Sequence, residues 1–213
     1  MNKIGIMGGT FNPVHSGHLS IALHFKEQMK LDKVIFVPAN ISPFKTNSVD
    51  QADPVAMKAF DDMTAHRIEM LKLALADYPD FSVDQYETQK GGISYSINTV
   101  RYFKSKYIFS ILNLLIGDDQ AREFVKWKDW KEIMNLAQLC IAKRSPNNHD
   151  PHFKDHIEKL LHEAGRKFFW INNELIPISS EKIRLNIHSD KKIADYLNPQ
   201  VYKYILKNKL YQS

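Results

Sequence analysis

Short runs of β-branched, aromatic and leucine residues punctuate the chain at KIGIM (3–7), KVIFVP (33–38), FSVDQY (81–86), FSILNLLIG (109–117), LCIAK (139–143) and KFFWI (167–171), and segments of helical period lie between them. This alternation constrains the fold more than any other feature. Parallel strands joined by helices need right-handed crossovers, so the pattern predicts an α/β fold, a Rossmann-like doubly wound parallel sheet. Leu19, Ala22 and Leu23 mark a first helix, and Ile68, Leu71 and Leu75 mark a long one that begins near Pro54. Val201, Tyr204 and Ile205 stripe a last helix, giving a small C-terminal helical portion. With 213 residues and 44% hydrophobic content the chain can bury a large core, and a single domain over 1–213 is expected.

Ligands of such sheets bind beyond the carboxyl ends of the strands, so the loops at that edge are where chemistry is sought. The polar stretches 39–53 and 144–152 read as long loops of this kind. The net charge of +5 and the pI near 9.1 favour anionic partners, but the Lys and Arg residues are spread along the chain instead of forming a polybasic block. Small phosphorylated ligands fit that distribution better than nucleic acid. No window approaches the roughly 20 apolar residues of a membrane span, and no signal-peptide apolar region precedes the first strand pattern, so a soluble cytoplasmic protein with no membrane partner is expected. The single cysteine, Cys140 in LAQLCIAK, excludes an internal disulfide and reads as a buried strand residue.

The stretch GGTFNPVHSGH, Gly8 to His18, follows the first strand directly. Gly8 and Gly9 are expected to let the backbone turn sharply and approach a ligand, and Pro13 to fix the path of the loop. The helix that starts near Ser16 to His18 then points its free N–H groups and its positive dipole end at whatever the loop cradles, an environment suited to phosphate. His15 and His18 stand three residues apart, one helical turn, so both imidazoles can donate to the same anion. Two plainer readings stay open for this stretch alone. The histidines are also compatible with zinc, although no neighbouring Cys or His suggests a third ligand, and with the surface of an ordinary strand-turn-helix.

GGTFNPVHSGH resembles the T/HxGH signature of the nucleotidyltransferase superfamily, which is related to the HIGH motif of the far longer class I aminoacyl-tRNA synthetases. ISSEKIR (178–184) resembles the superfamily's ISSTxIR motif, at the separation typical of nicotinate mononucleotide adenylyltransferases. In physical terms Ser179 and Ser180 cap a helix whose N-terminus is a second anion nest, and Arg184 supplies a fixed positive charge one turn on. SPFK (42–45) stands where the family has PPHK, GISYSINT (92–99) resembles its GxSYTxxT, and IGDDQ with Trp127 resembles its IGxD followed by tryptophan. YLNPQVYKYILKNKLY (196–211) looks like the family's C-terminal helix.

The resemblance implies adenylyl transfer from ATP to nicotinate mononucleotide, giving deamido-NAD and pyrophosphate in NAD biosynthesis, with Mg2+ accompanying ATP. It implies catalytic roles for His15, His18, Lys45 and Arg184. ATP would be met by Gly8, Gly9, Thr10, Phe11, His15, His18, Arg144, Ser179, Ser180 and Arg184, and the mononucleotide by Asn12, Lys45, Ser96, Asp119 and Trp127, the tryptophan stacking on the pyridine ring. Taken singly, Lys45 also reads as a solvated lysine, Asp119 as a helix cap with Asp118, Trp127 as a core aromatic beside Trp130, and Arg144 as a surface residue. Neighbouring activities of the superfamily remain alternatives: nicotinamide mononucleotide or phosphopantetheine as acceptor, or a noncatalytic nucleotide-binding regulator. Homo-oligomer formation is compatible with the family. Departures from its commonest pattern are Asn12 for aspartate, Phe44 for the histidine of PPHK, Ser96 for threonine and Glu181 for the threonine of ISSTxIR.

Overall fold

Each of the expected strands forms. In the computed structural model, which describes residues 1–43, 54–144, 155, 157–159 and 168–212, they are β1 (Lys3–Gly9), β2 (Lys33–Pro38), β3 (Phe81–Val83), β4 (Ile111–Gly117), β5 (Gln138–Ala142) and β6 (Phe168–Ile171). The sheet order is β3-β2-β1-β4-β5-β6. The chain therefore winds outward from β1 in one direction and then, from β4 onward, in the other, the doubly wound order that opens a crevice where the winding reverses. The described helices are α1 (Ser16–Met29), α2 (Pro54–Leu75), α3 (Tyr86–Lys90), α4 (Ser96–Lys106), α5 (Asp118–Ala121), α6 (Trp130–Leu136), α7 (Ser180–Asn186) and α8 (Pro199–Lys207).

The chain divides into two compact units. The first comprises Met1–Gly8, Ser20–Ile35 and Tyr95–Leu175. Within it β1, β4, β5 and β6 run parallel, with Ile4 opposite Leu112, Leu114 opposite Leu139 and Ile141 opposite Trp170. Ile4, Ile6, Leu112, Leu114, Leu115, Ile116 and Leu139 to Ala142 are all buried, the continuous apolar pattern of strands covered on both faces. Helix α1 lies so close to β1 that a Cβ on Gly5 would come within 2.6 Å of both Phe25 and Leu31. Cys140 is buried in β5, and its apolar surroundings push the thiol pKa far up, which keeps it protonated and inert.

The second unit comprises Gly9–Leu19, Phe36–Ser94 and Ile176–Ser213. Phe11, Phe36 and Phe81 pack in sequence with ring centroids 5.6 Å apart at each step. Helix α2 buries Met70, Leu71, Ala74 and Leu75, and α8 buries Val201 and Ile205. The two helices are linked by His66, whose Nδ1 is 2.8 Å from the Tyr204 hydroxyl.

Two strands are shorter than their apolar runs. β3 stops at Val83 because the Asp84 N–H makes a last bond to the Phe36 carbonyl and its side chain then accepts from the Tyr86 N–H, turning the chain into α3. β4 begins at Ile111, not at Phe109, because the Ser110 N–H closes a turn onto the Tyr107 carbonyl and leaves Phe109 84% exposed.

Candidate active site

The loop between β1 and α1 carries the glycines and histidines, and its sharp turn is not made by glycine. Neither Gly8 nor Gly9 has positive φ; the left-handed residue is Phe11, at φ 49°, followed by a cis bond between Asn12 and Pro13. A non-glycine residue stays there only if its surroundings hold it. The Phe11 side chain supplies that hold, since it is fully buried, 5.1 Å edge-on from His18 and in contact with Phe36. Gly9 is needed for a different reason, because a Cβ there would lie 2.8 Å from the Phe11 ring. Gly8 has open space in front of it, which is where a glycine permits close approach of a ligand.

His15 and His18 come together as the spacing predicts, with ring centroids 3.8 Å apart, and both are buried at 7% and 9% exposure. The His15 N–H donates to His18 Nδ1 at 3.3 Å, and the His18 N–H donates to the His15 carbonyl at 2.9 Å. Because Nδ1 accepts, the His18 proton sits on Nε2, which makes that nitrogen a donor.

The C-terminal motif reaches the same loop. Ser179 caps α7 by accepting from the Lys182 N–H at 3.1 Å. Ser180 Oγ donates to the Pro13 carbonyl at 2.9 Å, and Arg184 Nη1 donates to the Asn12 carbonyl at 2.8 Å. The Ser180 hydroxyl proton is thus engaged in holding the loop.

Two more residues complete the support: Arg67, outside every motif, and Tyr211, the last residue of the C-terminal stretch 196–211. Arg67 of α2, only 3% exposed, donates from Nη1 to the carbonyls of Thr10 at 2.7 Å and Ala39 at 2.9 Å, and from Nη2 to Thr64 Oγ1 at 2.9 Å. Burial lowers its pKa to about 10, against the pull of Tyr211, so it keeps its charge at neutral pH. Tyr211 donates from Oη to Asn12 Oδ1 at 2.6 Å. The carbonyls of residues 10, 12 and 13 therefore all accept from side chains supplied by distant segments. With these carbonyls engaged, and with two guanidinium groups, two imidazoles and the amino end of α1 around it, the loop has the chemistry to receive an anion.

Ser96, Asp119, Trp127 and Arg144 belong to the first unit. Asp118 and Asp119 open α5, and the buried Asp118 Oδ1 accepts from the backbone N–H groups of Asp119 and Arg144, each at 3.0 Å. The Arg144 guanidinium is 3.6 Å from Asp119 Oδ1, both side chains being largely exposed. Ser96 is the first residue of α4, and Trp127 follows a 3₁₀ turn (Phe124–Lys126) with its ring 5.3 Å from Phe124. Lys45 and the departure at Phe44 lie outside the described residues. Among the described residues no three His, Cys, Asp or Glu side chains form a metal cage, and no helix is long and apolar enough to cross a membrane.

Sequence reasoning missed Arg67 altogether, read Asp118 only as part of a helix cap with Asp119, and gave Tyr211 no role beyond its place in the C-terminal stretch 196–211. For Arg67 a signal existed: it falls on the buried stripe of α2 with Thr64, Ile68 and Leu71, where a solvated arginine would not stand.

Residues 6–186 match the family described as cytidylyltransferase-like. A protein of Clostridium beijerinckii named a probable nicotinate-nucleotide adenylyltransferase is 35% identical, with 100% of both chains covered. A protein of Dictyoglomus thermophilum with the same name is 34% identical, covering 98% of this chain and 99% of its own length. Among solved structures, nicotinic acid mononucleotide adenylyltransferase of Plasmodium falciparum complexed with NaAD has the same fold, with a TM-score of 0.72 at 16% identity over 99% of this chain and 98% of that one.

Proposed function

Because the chain belongs to the cytidylyltransferase-like family, we propose that it transfers an adenylyl group from ATP to nicotinate mononucleotide. One observation supports this reading beyond motif matching: Arg184 of ISSEKIR donates to the Asn12 carbonyl of the glycine loop across 172 residues of sequence, which suits a single anion site made from both motifs. A phosphate oxygen of the mononucleotide attacks the α-phosphorus of ATP in line. The bond from that phosphorus to its bridging oxygen breaks, pyrophosphate leaves with the electron pair, and deamido-NAD forms.

The attacking phosphate is already ionised, so no nucleophilic side chain is needed. The protein contributes alignment and a fixed field for charge developing on the leaving group. His15 and His18 donate to that charge, and Arg184 with the backbone at Gly8, Gly9, Thr10, Phe11, Ser179 and Ser180 holds the triphosphate. Arg144 adds positive charge on the ATP side, while Asn12, Lys45, Ser96, Asp119 and Trp127 receive the mononucleotide. Mg2+ accompanying ATP would supply neutralisation of phosphate charge, while His15, His18 and Arg184 would hold phosphate oxygens of the nucleotide. A cytoplasmic location belongs to the same reading.

Arg184→Lys separates charge from geometry. A single ammonium cannot hold the Asn12 carbonyl and a phosphate as a guanidinium fork does, so the KM for ATP rises about tenfold while the KM for the mononucleotide moves much less. Unchanged ATP dependence of the rate would place Arg184 outside the ATP site.

The acceptor is tested by competition between nicotinate and nicotinamide mononucleotides at equal concentration. The two differ by a carboxylate against a neutral amide, which donors aimed at the pyridine substituent distinguish. Deamido-NAD is expected in excess; equal incorporation, or more NAD, rejects the nicotinate assignment while leaving adenylyl transfer standing.

A further inference from the structure

Tyr211 sits four residues beyond α8, with φ 61°, and its hydroxyl bonds to the Asn12 side chain. An asparagine amide is planar, with its oxygen on one side and its NH2 on the other. Whatever holds Oδ1 therefore also determines where Nδ2 points. At Asn12 the backbone carbonyl is held by Arg184 and Oδ1 by Tyr211, so the residue is anchored at both ends. The electrostatics select the same orientation, since the charges of Arg184 and Arg67 both act on the Tyr211 phenol and a positive surrounding favours an amide oxygen on that side over an NH2. Burial keeps the phenol protonated at neutral pH in spite of those charges, so it remains a donor.

We propose that Tyr211 is a positioning residue acting through Asn12: it holds the amide in the orientation that offers Nδ2–H to a phosphate oxygen of a substrate. The proposal rests on the adenylyl-transfer reading. An aspartate at this position would present only acceptors, whichever way it turned. With asparagine the same position gains a donor, but only in one of two orientations, and the other would aim a carbonyl oxygen at the phosphate. Tyr211 is what makes the difference.

A double-mutant cycle over Tyr211→Phe and Asn12→Ala tests this, with ATP and mononucleotide varied separately and the melting midpoint recorded for all four proteins. Tyr211→Phe is expected to raise the KM of one phosphate-bearing substrate about five- to tenfold with a smaller change in kcat, and to add nothing in the Asn12→Ala background. The mononucleotide, which the proposed function places at Asn12, is the substrate whose KM is expected to move. An equal effect of Tyr211→Phe in both backgrounds, or a lower melting midpoint with both KM values unchanged, overturns the proposal. Calorimetric binding of ATP and of the mononucleotide to the same four proteins gives the cycle without turnover, so a wild-type protein that binds but does not react counts against the proposed function and not against this inference.

Discussion

Replacing His18 by alanine lowers kcat by about 10²–10³-fold and changes the KM for ATP by no more than about threefold. The asymmetry follows from the tautomer. His18 Nδ1 is engaged by the His15 N–H, so Nε2–H is the donor presented, and a fixed donor gains most when charge builds on the departing pyrophosphate. His15→Ala has the smaller effect, because that ring lies 3.8 Å from His18 and acts partly by keeping it in place. Steady-state kinetics with circular dichroism as a check on folding decides the matter. A loss of only a few tenths of the activity would remove His18 from the chemistry.

The largest loss of stability is expected from Arg67→Met, which keeps much of the side-chain volume and removes the guanidinium. The carbonyls of Thr10 and Ala39 and the hydroxyl of Thr64 lose their donor together. A buried polar group left without a partner costs about 1–3 kcal/mol, and relief from burying the charge returns part of the sum, for a net loss of about 2–4 kcal/mol. In a chain of this size that lowers Tm by about 5–15 °C. The Thr10 carbonyl is also released from its place in the loop, so kcat/KM falls about tenfold even at temperatures where the variant is folded. A Tm within 2 °C of wild type, read by calorimetry, would show that the three bonds are dispensable.

The outline of the fold was legible because parallel strands, buried on both faces, leave apolar runs such as LLI (114–116) and LCIA (139–142). Strand ends were less legible, since local bonds by Asp84 and Ser110 end or delay β3 and β4 inside runs of uniform character. In the site, the pairing of His15 with His18 could be read from spacing, as it depends only on one turn of chain. The roles of the glycines could not. Both were expected to supply the turn, but Phe11 takes it, and Gly9 is small because the Phe11 ring returns over it, a contact set by tertiary packing. The role of Tyr211 was hidden for the same reason: the last residue of the stretch 196–211 gains meaning only when the chain brings its hydroxyl 2.6 Å from the Asn12 side chain.

The most direct test of adenylyl transfer is a product balance on the purified protein given ATP, magnesium and nicotinate mononucleotide. One pyrophosphate and one deamido-NAD are expected for each ATP consumed, with no pyrophosphate when the acceptor is omitted or replaced by the riboside lacking its phosphate. Binding of ATP without pyrophosphate release, release of orthophosphate in its place, or equal turnover with CTP would contradict the account.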